Sequence, residues 1–395
     1  MRVAAGFLCL LGFACSGSVG DIPIRGSGGS ISTNAGGGTG TGGASAGGAT
    51  GTGGVTSGGG PGSGGASSSG GAPGSGGAPG SGGAGTSTGG MAGTARPDGS
   101  AGSPGAGGAT VDAGPGVPVI PIDAASASDV CARWKADRAN LSEGTWSGNI
   151  AACDPGDISA DGRANALRLF NLYRWLADLP AVVNAPDRDQ EAQACALMMD
   201  ANNMLSHDPP TTWTCYTQLG HDGAATSNIS GGPGVSSVDS YLIDTGNETT
   251  FGHRRIVLSN ELGPIGLGST GANGASCMQN IGGTGKAGKP WLAWPPPGIF
   301  PLQAYTPRAR SSLTITGWSF QSMRSMALTN AQVTVTSGGT NLPMTVTQLT
   351  GTYGNSNAIS MVPNGWDVAA GQTYDVSITG ITTPVSYRVQ IVNCN

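Results

Sequence analysis

Apolar residues recur with helical spacing between Ser159 and Leu179. Leu167, Phe170, Tyr173 and Leu176 share one face there, Arg168 and Arg174 lie between them, and Pro180 ends the run. A second helix is predicted to open with Asp187 as N-cap and Gln190 three residues on. Its buried stripe is Ala192, Cys195, Ala196 and Met199, and it must stop before Asp208-Pro209-Pro210. A short helical pattern follows over Val238–Ile243, and Ile265-Gly266-Leu267-Gly268 reads as a strand whose glycines admit another backbone. Beyond Trp291 the period changes to two. Leu313/Ile315, Val333/Val335, Met344/Val346, Tyr374/Val376/Ile378 and Tyr387/Val389/Ile391 alternate with polar residues and are separated by Gly, Asn and Pro. Five or six short strands of this kind predict a β-sandwich over 300–395, with an immunoglobulin-like topology as the expected form. Trp294-Pro295-Pro296-Pro297 reads as a rigid connector leading into it. Helices first and strands afterwards make the fold class α+β.

Composition removes the first third of the chain from that fold. Of 72 glycines, 43 precede Ser128, and no aromatic residue lies between Ser16 and Ser128. Such a stretch cannot bury a core and is expected to be a disordered Gly/Ser-rich linker. The remaining 268 residues hold all eight Trp, enough for one large domain or two modest ones. The expected division is 1–14 signal peptide, 15–127 anchor site and linker, 128–299 first folded domain, and 300–395 sandwich.

Met1-Arg2 followed by an apolar run to Ala14-Cys15 reads as an export signal, too short to stay in a bilayer as a spanning helix. Cleavage before Cys15 with lipid attached to it is one route, and simple secretion after Ala14 is the other. Cysteine arithmetic favours lipidation. It leaves Cys131, Cys153, Cys195, Cys215, Cys277 and Cys394, an even set that reads as three disulfides in an oxidising compartment. Of the 15 possible pairings, nearest neighbours would give Cys131 with Cys153, Cys195 with Cys215, and Cys277 with Cys394. The expected location is the outer membrane or cell surface, or the medium if Cys15 is not acylated.

The formal net charge is −5, with 11 Lys+Arg against 17 Asp+Glu over 128–299 and four Arg against two Asp over 300–395. No basic stripe marks a nucleic-acid binder. The folded part contains no Gly-x-Ser-x-Gly elbow, no Cys-x-x-Cys and no His-Glu-x-x-His, and Gly282–Lys286 lacks the glycine spacing and the hydroxyl residue of a phosphate loop. What remains is histidine. His207 and His253 stand at the ends of predicted elements, and His221 lies in a Gly-His-Asp-Gly loop. Trp318 and Trp366 read as sandwich core, with a sugar-stacking role as the alternative.

The order of motifs resembles the CAP superfamily of cysteine-rich secretory proteins, antigen 5 and pathogenesis-related proteins. The motifs are Asn171-Leu172-Tyr173-Arg174 on a helix, Leu205-Ser206-His207, Asn228-Ile229, Gly252-His253-Arg254 and Ile265-Gly266-Leu267-Gly268. The resemblance implies an α-β-α sandwich with a central cleft that commonly carries two His and two acidic residues. By position the histidines are His207 and His253. The first acid's place before Asn228 is held by Ser227, and Asp239, Asp244 and Glu248 are the candidates for the second.

Three functions stay open on the sequence. The leading one is an extracytoplasmic binding or interaction module whose cleft, lined by His207, Ser227, Asn228, Asp244, Glu248 and His253, takes a small ligand, a lipid, a cation or a cell-envelope fragment. The rival is a divalent-metal hydrolase in which His207 and His253 with one carboxylate hold Zn²⁺ or a similar cation and a water of lowered pKa. The third is a structural adhesion protein. In each case the membrane is reached through the lipid anchor alone, and the chain is expected to be a monomer.

Overall fold

The computed structural model describes residues 22–23, 121–308 and 312–395. The predicted signal, Cys15 and nearly all of the predicted linker lie outside the described residues. Order begins before Ser128. A 3₁₀ turn at Ile122–Ala124 leads into helix α1 (Ala127–Asp137), which the periodicity reading missed. Its start is nonetheless fixed locally, because Ser126 and Asp129 form a reciprocal capping box.

Helix α2 (Ala160–Leu176) follows the predicted stripe. Helix α3 (Pro186–Asn202) starts one residue before the predicted cap, with Ala185 as N-cap and Pro186 in the first turn, where its missing N–H costs nothing. Then come strand β2 (Met204–Leu205), which pairs with β1 (Ile22–Pro23), α4 (Gln218–Ala225), β3 (Ser227–Ser230), α5 (Gly234–Ile243) and α6 (Gly252–Val257). Strands β4 (Gly266–Ser269) and β5 (Ser276–Gln279) complete an antiparallel sheet in the order β3-β5-β4. Helices α3 and α4 cover one face of this sheet, and α2 and α5 the other.

Close approach of α3 depends on glycine in β4. A Cβ at Gly268 would lie 2.2 Å from the Ala192 carbonyl carbon and 2.3 Å from Gln193 N. We expect Gly268→Ala to destabilise the fold by about 2–3 kcal/mol through overpacking, read as a fall in the urea midpoint. Gly232→Ala, whose Cβ meets only ordinary contacts of 3.5 Å or more, is expected to be neutral or slightly stabilising. A half-open hollow between α2, the start of α5 and the sheet, lined by Gly162, Arg163, Val235, Leu267 and Met278, is about 20 Å³, room for one water.

The C-terminal part is built from strands β6 (Trp291–Trp294) and β7 (Gly298–Pro301), helices α7 (Leu302–Tyr305) and α8 (Leu313–Thr316), and strands β8 (Trp318–Ser322), β9 (Gln332–Ser337), β10 (Thr340–Leu342), β11 (Met344–Gln348), β12 (Asn357–Pro363), β13 (Thr373–Thr379) and β14 (Val385–Val392). They form two sheets, β10-β9-β13-β14-β7 and β11-β12-β8-β6, with β7 running parallel to β14. The sheets meet through rings. Trp291 packs on Phe320 and on Tyr387, and Trp318 on Tyr374. Trp318 is fully buried in the core of this part, whereas Trp366 is half-buried and stacks on Tyr374 at the edge of that core. The Trp-Pro-Pro-Pro stretch is the turn from β6 to β7, one strand in each sheet, and residue 299 falls inside β7.

Two expectations are corrected. Leu313 and Ile315 form a helical turn, not a strand: Ser312 caps it, and Ile315 points out at 64 % exposure while Leu313 is buried. None of the nearest-neighbour disulfides forms. The bonds are Cys131–Cys394, Cys153–Cys215 and Cys195–Cys277: α1 packs beside β7, whose partner β14 leads to Cys394, and α3 lies across β5. Among the described residues no helix is long and apolar enough to cross a membrane.

Candidate ligand site around His253

Helix α5 ends at Asp244, which adopts the left-handed conformation (φ 58°) and turns its carboxylate back under α6. That carboxylate is fully buried and serves three donors. His253 Nδ1 lies 2.8 Å from Oδ1, Asn247 Nδ2 donates to Oδ1 at 2.9 Å, and Arg254 N donates to Oδ2 at 3.1 Å. A carboxylate on Nδ1 holds the proton there, which makes Nε2 the basic nitrogen of the His253 ring. The ring packs on Tyr241 at 5.0 Å between centroids. Tyr241 Oη donates to Asn228 O at 3.1 Å, and Asn228 Nδ2 donates to His253 O at 3.4 Å.

His207 reaches the same stretch of chain from the other side. Its Nδ1 lies 2.9 Å from Ala224 O, and since a carbonyl only accepts, Nδ1 again carries the hydrogen and Nε2 is again the basic nitrogen. Ala224 lies in the last turn of α4, three residues before Ser227, so the His207 imidazole is anchored at residue 224, while Asn228 donates to the backbone carbonyl of His253. At that place polar atoms are buried without partners: Ser227 Oγ, Asn228 Oδ1 and Asn280 Nδ2, on residues exposed by no more than 2 %. Asn280 Oδ1 meanwhile accepts from Asn228 N at 3.2 Å. A buried polar atom left unsatisfied costs about 1–3 kcal/mol, and such atoms usually find a partner. An acceptor, a donor and a hydroxyl left on residues 227, 228 and 280, at the start of β3 and just past its partner strand β5, are therefore what bound water or ligand would satisfy.

Other expected residues are placed elsewhere. Glu248 accepts from Gly246 N at 2.8 Å and shapes the turn before α6. Asp239 is bound by Arg138 through both oxygens at 2.7 and 2.9 Å and accepts from Tyr173 Oη, so it joins α1, α2 and α5 and is not an acid of the histidine group. His221 lies between Asp208 (3.0 Å) and Asp222 (3.3 Å). The hydrogen bond that His221 Nε2 donates to Asp208 leads in raising its pKa above the ordinary 6.5, and burial works against it. A raised value stabilises the fold below about pH 6.5, and the contribution fades as pH climbs through the folded-state pKa. An NMR titration should therefore find the midpoint of His221 above 6.5, and above that of an Asp208→Asn variant.

Metal binding needs a third donor. Among the described residues no group of three or more His, Cys, Asp or Glu side chains is arranged to hold an ion, since Asp239, His221 and Glu248 are engaged as above. The donor set does not fit a catalytic zinc, and no step is derived through one. The residues that the sequence reading missed are Asn247, Tyr241 and Asn280. Only Asn247 carried a local signal, in its Gly-Asn turn; the others are brought in by pairing across the sheet and by α5.

Residues 167–279, from the body of α2 to the end of β5, match the family described as Cysteine-rich secretory protein family. The chain carries a domain of the CAP superfamily. No curated protein and no solved structure matches the chain. The matched stretch holds every residue of the histidine group except Asn280, which is the next residue after it. A CAP domain together with three disulfides places this protein in an oxidising, extracellular setting.

Proposed function

We propose that this CAP protein is an exported, lipid-anchored binding module whose ligand seat is formed by His253, Asp244, Ser227 and Asn228. The observation that carries the reading is that Ser227, Asn228 and Asn280 each keep a buried polar atom without a partner, with Asn228 bonded to the backbone of His253, whose imidazole is held by Asp244. The chemistry fits a small polar ligand, or the polar end of a cell-envelope fragment, that offers a donor to Asn228 and an acceptor to Ser227. Ser227 where the family commonly has an acid makes the seat less negative and less suited to a cation. With six cysteines paired among themselves, Cys15 is available for acylation, which supports the anchor.

The test uses calorimetry and His253 imidazole NMR on the oxidised protein, with soluble muropeptides, phospholipid micelles and ZnCl₂ as separate probes. The expected result is saturable binding of muropeptide that shifts the His253 signals and is lost in Ser227→Ala and His253→Ala. Silence from muropeptide and micelles alike would overturn the reading, and tight zinc binding abolished by His207→Ala would replace it with the metal-dependent one. Anchoring is tested separately, by whether Cys15→Ser moves the protein from the membrane fraction to the medium.

A further inference from the structure

Helix α6 has only six residues, too short to hold itself, and two arginines that follow His253 tie it to both halves of the fold. Arg254 is fully buried. Its guanidinium donates to Leu242 O (2.6 Å) and Ile243 O (2.7 Å) at the end of α5, then to Gly317 O (2.9 Å) and Thr316 Oγ1 (3.1 Å) in the C-terminal part, and it lies 4.0 Å over the Phe251 ring. Arg255 donates to Thr250 O in its own segment and to Thr350 O, Gly351 O and Asn355 O of the loop after β11, at 2.9 to 3.1 Å. The same loop is pinned by Thr350 N donating to Thr249 O at 2.9 Å, and its Tyr353 ring lies 3.5 Å from where a Cβ on Gly252 would stand.

Every hydrogen bond of the two guanidiniums goes to a carbonyl or hydroxyl oxygen. Buried cations without a bonded carboxylate are tolerated only when such dipoles are held in place, so each arginine fixes the segments it touches relative to one another. The carboxylate nearest in this chain of contacts is Asp244, which the Arg254 backbone N–H grips and which sets the His253 tautomer.

We infer that the C-terminal sheets are a positioning scaffold for His253: Thr316–Gly317 and the 350–355 loop fix Arg254 and Arg255, Arg254 fixes Asp244, and Asp244 fixes the Nδ1–H form of the imidazole. Arg254, Arg255 and Thr316 are positioning residues in this arrangement, acting on His253 through Asp244. The two halves of the folded chain work as a single device.

The experiment uses the full oxidised chain with ¹⁵N-labelled histidine. With three histidines in the sequence, the imidazole spectrum has three spin systems. Thr316→Val removes one hydroxyl while keeping the shape, and is expected to split or broaden the His253 signals through a several-fold rise of the Nε2–H form. His207 and His221 should be unchanged, and Thr316→Ser should restore the parent spectrum. Arg255→Lys is expected to act in the same direction. An unchanged His253 signature in Thr316→Val overturns the inference whatever the melting temperature does, because glue between two halves would lower stability without moving a tautomer. Should Arg255→Lys fail to fold, Thr316→Val alone decides.

Discussion

Replacing Cys195 and Cys277 together by alanine is expected to lower the stability of the folded unit by about 4–6 kcal/mol. The bond spans 82 residues. For a loop of that length the chain-entropy account gives about 4.5 kcal/mol, with strain and residual structure acting to reduce it. Burial adds to the loss. Cys195 is 0 % and Cys277 1 % exposed, within a cluster of Ala192, Ala196, Met198, Met199, Trp213 and Ile229, so two missing sulfurs leave a void between α3 and β5. Cys153–Cys215 is the contrasting case: it spans 62 residues, Cys153 is exposed, and both cysteines sit in the left-handed region at φ 51° and 59°. Opening that bond releases backbone strain and leaves no void, so it should cost clearly less. Urea denaturation of the two double variants ranks them, and equal costs would mean that the packing term is negligible.

Asp239→Ala is expected to destabilise the protein by about 3–5 kcal/mol, and to do so without disturbing His253. The carboxylate has 6 % of its side chain exposed and receives Arg138, itself only 14 % exposed. Arg138 also lies 4.6 Å over the Trp134 ring, so its cation is fixed on three sides. Removing the acid strands a charge in a nearly dry place, which is the expensive way to break such a pair. Replacing both partners, as Arg138→Met with Asp239→Leu, should recover most of the loss, because two apolar side chains need no ion partner. If Asp239→Ala shifts the His253 imidazole signals while leaving the denaturation midpoint in place, Asp239 belongs to the ligand site after all and the assignment here is wrong.

The contrast between Asp239 and Asp244 shows where the sequence stops being readable. Asp239 lies inside the predicted helical stretch and Asp244 directly after it, both within 15 residues of His253. Asp239 is claimed by Arg138, 101 residues earlier, whereas Asp244 is turned toward His253 by the left-handed end of α5. The helices α2 and α3 were legible because a 3.6-residue stripe and a proline stop are local facts. Glycines 266 and 268 were legible as a place of close approach, and α3 is what approaches. The disulfides were not legible, since cysteine spacing says nothing of α1 lying next to the far end of the chain. Period two misled at Leu313 and Ile315: a strand would put both on one face, whereas the four-residue turn capped by Ser312 buries Leu313 and exposes Ile315.

One covalent link decides how this protein bears a load. Cys131 lies in the second turn of α1 and is bonded to Cys394, two residues beyond the end of β14. Tension transmitted along the chain from before α1 therefore crosses the sulfur bridge after barely one turn of helix and enters β14. That strand is hydrogen-bonded on both sides, to β13 and to β7. A force arriving there is shared by two ladders of backbone hydrogen bonds, so a pull on the N-terminal side of α1 loads the interior of a sheet and not a free edge.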